Sequence, residues 1–304
     1  MAIFKEKSSG NINAKSKELS TTMDVAEAWI DLLSSEGYCV LQSIDVGSFG
    51  EVFTVQRHGH AKLLAVKKII SSRRVEEDPT ILNEISLLMK LKHRHVISIK
   101  DVVCTPHVAC IIMEYAGLGN LNCFVKERKM MSDNFIGNVF RQLLSALSFC
   151  HGNRIAHCDV NPSNMLMVSE NLVKLADFGT AMLCIDKNGK SALCHNYLGQ
   201  NSYLAPEVLC RQPFNPLYAD VWSLGCVLYF MTFCDVPFTG GSAVILNEQR
   251  SKGVTFPQNT MRKVQHLAHT CGYITEVCKV NPRLRPTVKE LTLSWSRINN
   301  HLTH

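Results

Sequence analysis

Asp159 is followed five positions later by the amide Asn164, and eighteen positions later by a second carboxylate, Asp177, which opens Asp177-Phe178-Gly179. The first aspartate could accept a hydroxyl proton. The amide and the second carboxylate are hard oxygen ligands of the kind that hold a divalent cation on a nucleotide triphosphate. Upstream, Lys67 closes the apolar run Leu64-Ala65-Val66, and a half-buried ammonium needs an anion. Between Ile44 and Val52 lie Gly47 and Gly50, whose backbone lets N–H groups approach phosphate oxygens closely. Each feature alone is weak: Asp-Phe-Gly is more often a turn, the glycine stretch suits a tight hairpin, and Lys67 and Glu84 could be ordinary surface charges. Taken in order, they describe the transfer of a phosphoryl group to an alcohol.

These residues need elements to position them, and a 304-residue chain is long enough for two lobes around a substantial core. Its 46% hydrophobic and 19% charged residues read as globular. Residues 1–21, rich in Ser, Lys and Asn, suggest a mobile tail. Val25, Trp29, Leu32 and Leu33 recur at helical spacing, with Thr22 as N-cap and Gly37 as stop, so a helix is expected over 22–37. Tyr38 to Ile70 reads as three strands, and Val103 to Glu114 as two more. Between them Asp78 and Pro79 open a helix that carries Ile81, Ile85 and Leu88 beside Glu84. Farther on, Ser132 caps a long helix with Ile136, Val139, Phe140, Leu143, Leu144 and Leu147 on one face. Val221 to Cys234 is too short to span a bilayer and reads as a buried helix.

A net charge of +6, spread over short basic clusters without interleaved aromatics, does not describe a nucleic-acid surface. Met1 to Gly10 has no apolar segment, so no secretory signal is expected. Thirteen cysteines, an odd number at irregular spacing, suit reduced thiols in a cytoplasmic or nuclear protein. Neither a nucleic-acid nor a membrane partner is therefore expected, and the oligomeric state is not legible.

The ordered set His157-Cys158-Asp159-Val160-Asn161-Pro162-Ser163-Asn164, Asp177-Phe178-Gly179, Ala205-Pro206-Glu207, Asp220-Val221-Trp222-Ser223-Leu224-Gly225 and Arg285-Pro286-Thr287 resembles the protein kinase family, from about Tyr38 to Leu302. The resemblance implies a bilobal α+β fold: a small β-rich N-lobe with one regulatory helix over 38–116, and a larger, mainly helical C-lobe over 117–304. It implies ATP and Mg²⁺, protein substrates, and Ser/Thr rather than Tyr hydroxyls as acceptors. Asp159 would be the proton acceptor, and Lys67, held by Glu84, would fix the phosphates. Asn164 and Asp177 would bind the metal. Val46, Gly47, Ser48, Phe49 and Gly50 would cover the triphosphate. Val52, Ala65 and Leu166 would sandwich the adenine, with Met113 behind it and the backbone of Glu114 and Ala116 at its edge. Glu207 and Arg285 would pair, and Asp220 would brace the catalytic loop.

Departures from the family pattern matter equally. Asp45 stands where a third glycine is usual, and a carboxylate there repels a triphosphate unless it points outward. Asn161 replaces a lysine that contacts the transferred phosphate, and Gln200 replaces the threonine linked to that lysine. Losing one preorganised donor costs roughly 10²–10³ in rate, about 2.7–4 kcal/mol, so a slow enzyme is expected. Cys158 replaces the arginine that receives an activation-segment phosphate, so activity independent of that switch is expected. The His-Cys-Asp form is similar to that of divergent kinases, including some encoded by herpesviruses. The alternative is a pseudokinase, a nucleotide-binding or scaffolding module on the same fold.

Overall fold

Apolar alternation from Tyr38 onward resolves into β1 (Tyr38–Gly47), β2 (Gly50–Arg57), β3 (Leu63–Ile70), β4 (Ile99–Cys104) and β5 (Val108–Glu114), one antiparallel sheet in the order β1-β2-β3-β5-β4. This computed structural model describes residues 22–47, 50–185, 192–195, 197, 199–257 and 265–302. The tail expected over 1–21, and Ser48 and Phe49 of the glycine-rich stretch, lie outside the described residues. β4 begins at Ile99, four residues before the expected Val103. An irregularity between Ile99 and Asp101 breaks the alternation that would have marked its start.

The sheet buries both faces. Cys110 and Ile112 of β5, with Val66 and Val55, meet Trp29 and Leu33 of helix α1 (Thr22–Ser35) on the outer side. Ala109, Ile111 and Met113 of β5 face the main core with Ala65. Fully burying a side chain such as Leu33 contributes about 1.5–3 kcal/mol, which anchors α1 to the sheet. Helix α1 ends at Ser35, and Gly37 reverses the chain at φ 84°.

Helix α2 (Pro79–Lys90) starts as its sequence dictates. Asp78 accepts hydrogen bonds from the N–H groups of Thr80 at 3.0 Å and Ile81 at 3.4 Å, and Pro79 occupies the first turn. The inward stripe then buries Ile81, Glu84, Ile85 and Leu88.

Below the sheet the chain is mainly helical, with α3 (Leu121–Arg128), α4 (Asp133–Gly152), α5 (Pro206–Leu209), α6 (Pro216–Phe233), α7 (Ser242–Ser251), α8 (Gln265–Val277) and α9 (Val288–Leu302). All six apolar residues expected on one face of α4 are buried, and Trp295 of α9 donates to the Gly137 carbonyl at 3.3 Å. Helix α6 is buried nearly all round, so it forms the centre of this lobe. Short strands β6 (Ile155–Ala156), β7 (Met165–Ser169), β8 (Leu172–Leu175) and β9 (Met182–Leu183) form two small ribbons that carry the loops between them toward the sheet. The molecule is thus a bilobal α+β fold. No described helix is long and apolar enough to cross a membrane.

Candidate active site

The cleft between sheet and helices holds a cavity of about 390 Å³. Its roof comes from register: β2 and β3 pair Val52 with Lys67 and Thr54 with Ala65, so Val52, Ala65 and Lys67 all line the cleft. Leu166 of β7 lines it from the helical lobe, Met113 closes the back, and Glu114 and Ala116 form the connecting edge. Glu114 spends its own N–H on the Ser98 carbonyl at 3.0 Å, and its side chain pairs with Lys174 at 2.8 Å. An adenine edge would therefore meet its carbonyl rather than its N–H.

At the inner end Lys67 Nζ lies 2.7 Å from Glu84 Oε1 and 2.8 Å from Asp177 Oδ1. The lysine and Glu84 side chains are only 8% and 3% exposed, which excludes their reading as ordinary surface charges. Burial alone would lower the Lys67 pKa, but the two carboxylates outweigh it and hold it above its ordinary value. Burial raises Glu84, with Lys67 offsetting only part of that rise. Asp177 is also opposed by burial, yet Lys67 pulls it below the usual aspartate value. Gly179 permits this close packing, because a Cβ there would lie 3.3 Å from both Asp177 Oδ1 and Glu84 Oε2.

The catalytic loop hangs from Asp220. Its carboxylate accepts the N–H groups of His157 at 2.8 Å and Cys158 at 2.9 Å. His157, fully buried, places Nε2 2.9 Å from the Ala176 carbonyl, which requires that nitrogen to donate. Its Nδ1 then accepts the Asp159 N–H at 3.3 Å. Phe178 packs against the same ring with centroids 4.8 Å apart. The two strand-separated segments at 157–164 and 176–179 are thereby tied together.

Asp159 is held by two amides. Asn161 Nδ2 donates to its Oδ1 at 2.9 Å, and Asn164 Nδ2 donates to its Oδ2 at 2.8 Å. Asn164 commits its nitrogen to Asp159 and so offers its oxygen to the cavity, which Asp177 also lines. Among the described residues no cluster of three or more His, Cys, Asp or Glu could hold a metal by itself. One amide and one carboxylate are the protein's share that a Mg²⁺ ion takes when phosphates and water complete its shell, so the donor set fits MgATP.

One sequence expectation changes. Val46 does not line the cavity; it is 71% exposed on β1, opposite Glu51. Ile44 and Asp45 line it instead, beside a pairing irregularity between Ser43 and Asp45. Gly47 pairs with Gly50 at the hairpin, and Gly50 is required: at φ 137° an added Cβ would lie 2.3 Å from the Lys68 carbonyl oxygen. Sequence reasoning missed Leu88, Asn120, Cys123 and Ser163 on the cavity wall. Leu88 lies one turn beyond Glu84 on the inward stripe, a legible signal. Asn120 caps α3 through the Cys123 N–H at 2.9 Å, and its place in the wall follows only from the return of the chain beside Leu166.

Outside the cavity, Arg285 grips Glu207 through Nη1 at 2.6 Å and Nη2 at 2.8 Å, and donates to the carbonyls of Lys279 and Tyr218. Gln200 is exposed.

Residues 38–295 match the protein kinase domain. The chain is 31% identical over 260 residues to the NUAK family SNF1-like kinase 2 of Homo sapiens, covering 85% of this chain and 40% of that protein. It is 31% identical over 257 residues to the carbon catabolite-derepressing protein kinase of Candida tropicalis, covering 84% of this chain and 40% of that one. It is 28% identical over 254 residues to the CBL-interacting serine/threonine-protein kinase 18 of Arabidopsis thaliana, covering 81% and 46%. The chain thus spans less than half the length of these relatives. These relatives do not show the likeness to herpesvirus-encoded kinases expected from the His-Cys-Asp form.

Proposed function

This chain belongs to the protein kinase domain family, and we propose that it transfers the γ-phosphoryl group of MgATP to Ser/Thr hydroxyls of protein substrates. The observation that carries the reading is the link from Glu84 through Lys67 to Asp177 at 2.7 and 2.8 Å, at the inner end of a mainly apolar cavity. Such an ammonium, fixed between two carboxylates, is positioned for phosphate oxygens.

Phosphoryl transfer asks the protein for position and charge rather than covalent work. Lys67 holds the phosphates. Asp159, with both carboxylate oxygens oriented by amides, receives the hydroxyl and takes its proton. Asn164 and Asp177 would hold Mg²⁺, which offsets charge developing on the phosphate oxygens. Asn161 takes over the orienting of Asp159 but supplies no cation for the transferred phosphate, so the enzyme is slow beside a typical kinase. Cys158 offers no positive charge to a phosphate on the activation segment, so activity does not wait on that modification. Protein substrates, without nucleic-acid or membrane partners, and a reducing cytoplasmic or nuclear location accompany this reading.

Asp45 on the cavity wall favours the second reading, a module that binds partners without turnover. One experiment separates them: transfer of labelled phosphate from MgATP to a generic protein substrate by the natural chain, Asp159→Ala and Lys67→Met. Loss of signal in both variants supports the enzyme. Equal background in all three, with a nucleotide-induced rise in melting temperature, supports the binding module.

A further inference from the structure

A second cavity, of about 350 Å³, lies at the C-terminal end of α2, where the chain turns toward β4. Leu88, Met89 and Leu91 from the end of α2 and Ile99 of β4 supply its apolar wall, and Lys92 and Arg94 line it as well. Met89 is 48% exposed, an apolar side chain left uncovered beside these charges. Lys90, Lys92, Arg94 and Lys100 are all exposed, and among the described residues none of them forms an ion pair. The carboxylates of the adjoining strands are engaged elsewhere. Glu114 pairs with Lys174 at 2.8 Å, and Asp101 accepts the Tyr38 hydroxyl at 3.0 Å. His93 registers the same positive field: burial, and then the charges of Lys174 and Arg94, hold its pKa below the ordinary histidine value.

The loop that carries Lys92 and Arg94 is fixed from beneath. His93 Nδ1 accepts the His95 N–H at 3.2 Å, its Nε2 lies 3.2 Å from Ser145 Oγ, and its ring stacks on Phe149 with centroids 5.0 Å apart. Ile97 donates to the Leu175 carbonyl at 2.8 Å, and Leu175 donates to the His95 carbonyl at 2.9 Å. A docked segment therefore meets a surface that needs little further ordering.

We propose that this groove docks an acidic segment of a partner protein, with one apolar side chain seated among Leu88, Met89 and Ile99 and carboxylates facing Lys92 and Arg94. Uncompensated cations beside an uncovered apolar wall fit such a segment in both charge and hydropathy. The chain's own N-terminal stretch is the wrong sign, since residues 1–21 carry Lys5, Lys7, Lys15 and Lys17 against only Glu6 and Glu18. Leu88 lines both this groove and the cavity that holds Lys67 and Glu84. The occupant thus braces the end of α2 one turn from Glu84.

The probe is an acetylated, fluorescein-labelled peptide of glutamates flanking a single leucine, added to the full chain and read by fluorescence anisotropy. The expected result is saturable binding that weakens as salt is added. It should fall roughly ten-fold in the double variant Lys92→Glu with Arg94→Glu, as two rim charges are reversed. Replacing the peptide's leucine by serine should weaken it by about the same factor. Amide hydrogen exchange over residues 87–94 should slow when the peptide binds. An unchanged melting temperature of the double variant shows that it folds. The proposal is overturned if the double variant or the serine peptide binds as tightly, if a lysine-for-glutamate counterpart binds as tightly, or if the protection falls elsewhere on the molecule. No readout depends on phosphoryl transfer, so failure here is distinct from failure of the proposed function.

Discussion

Asn161 donates its side-chain amide to Asp159 Oδ1 at 2.9 Å, while its own oxygen accepts the Ser163 N–H at 2.9 Å. A residue that departs from the family lysine is thereby 1% exposed and wholly engaged in orienting the proton acceptor. Asn161→Ala should reduce kcat by about 10²-fold, the order expected when a reacting group is misplaced by about 1 Å. The KM for ATP should stay close to that of the natural chain, since Asn161 does not line the cavity. A change confined to KM would show that the amide acts on nucleotide binding.

Asp45 predicts the opposite direction of effect. Two unit charges about 4 Å apart in water interact by about 1 kcal/mol, roughly a five-fold change in affinity. Asp45→Asn should therefore tighten ATP binding by up to about that factor at low salt, and the gain should shrink as salt is added. Calorimetric titration at two ionic strengths measures it, and unchanged affinity at low salt would mean that Asp45 is too far from the phosphates to matter.

Acid should release the two carboxylates from Lys67 in a definite order. Glu84 is raised above its ordinary 4.5, so it gains its proton first as pH falls; the stability tied to its protonated form is present below that value and lost as pH rises through its folded pKa. Asp177 is lowered below its ordinary 3.8, so its contribution is present above that value and is lost only as pH falls through the still lower folded pKa. The nucleotide-induced shift in melting temperature should begin to shrink above pH 4.5 in the natural chain. In Glu84→Gln that early part of the acid profile should be missing; superimposable profiles would argue against the order.

The buried pair far from the cavity makes a prediction about stability. The Arg285 side chain is 0% exposed and Glu207 15%, so removing one partner leaves an uncompensated charge. Glu207→Ala should cost about 3–5 kcal/mol, seen as a lower urea midpoint. Arg285→Lys should recover little, because a point ammonium cannot reproduce the two-pronged contact or the bonds to the Lys279 and Tyr218 carbonyls.

Independence from activation-segment phosphorylation is best checked by phosphatase treatment rather than by substitution. Thr180 donates its hydroxyl to the His157 carbonyl at 3.1 Å, so replacing it would disturb the catalytic loop whatever its phosphorylation state. Phosphatase-treated protein, with Thr180, Ser191, Tyr197 and Ser202 verified as unmodified, should retain nearly all of its rate. A large loss would mean that some cation other than the missing arginine receives a phosphate.

Much of this was legible because the relevant signals are local. Asp78-Pro79 announces the start of α2, the stripe Ile81, Ile85 and Leu88 sets which way Glu84 faces, and the apolar run of α6 shows a helix buried on every side. The β1 turn was less legible. Ile44, Asp45 and Val46 are consecutive on β1, yet the first two line the cavity and Val46 does not, and the pairing irregularity beside them depends on β2 rather than on the residues themselves.

The chain by itself determined the kinds of group available and their order, since carboxylate, amide and ammonium chemistry is a property of residue type and helix or strand periodicity is a property of neighbours. Tertiary structure alone decided who holds whom. Lys67 and Asp177 are 110 positions apart, and Asn161 could equally have faced solvent. Contacts between distant positions depend on register and packing, which no single stretch of sequence encodes.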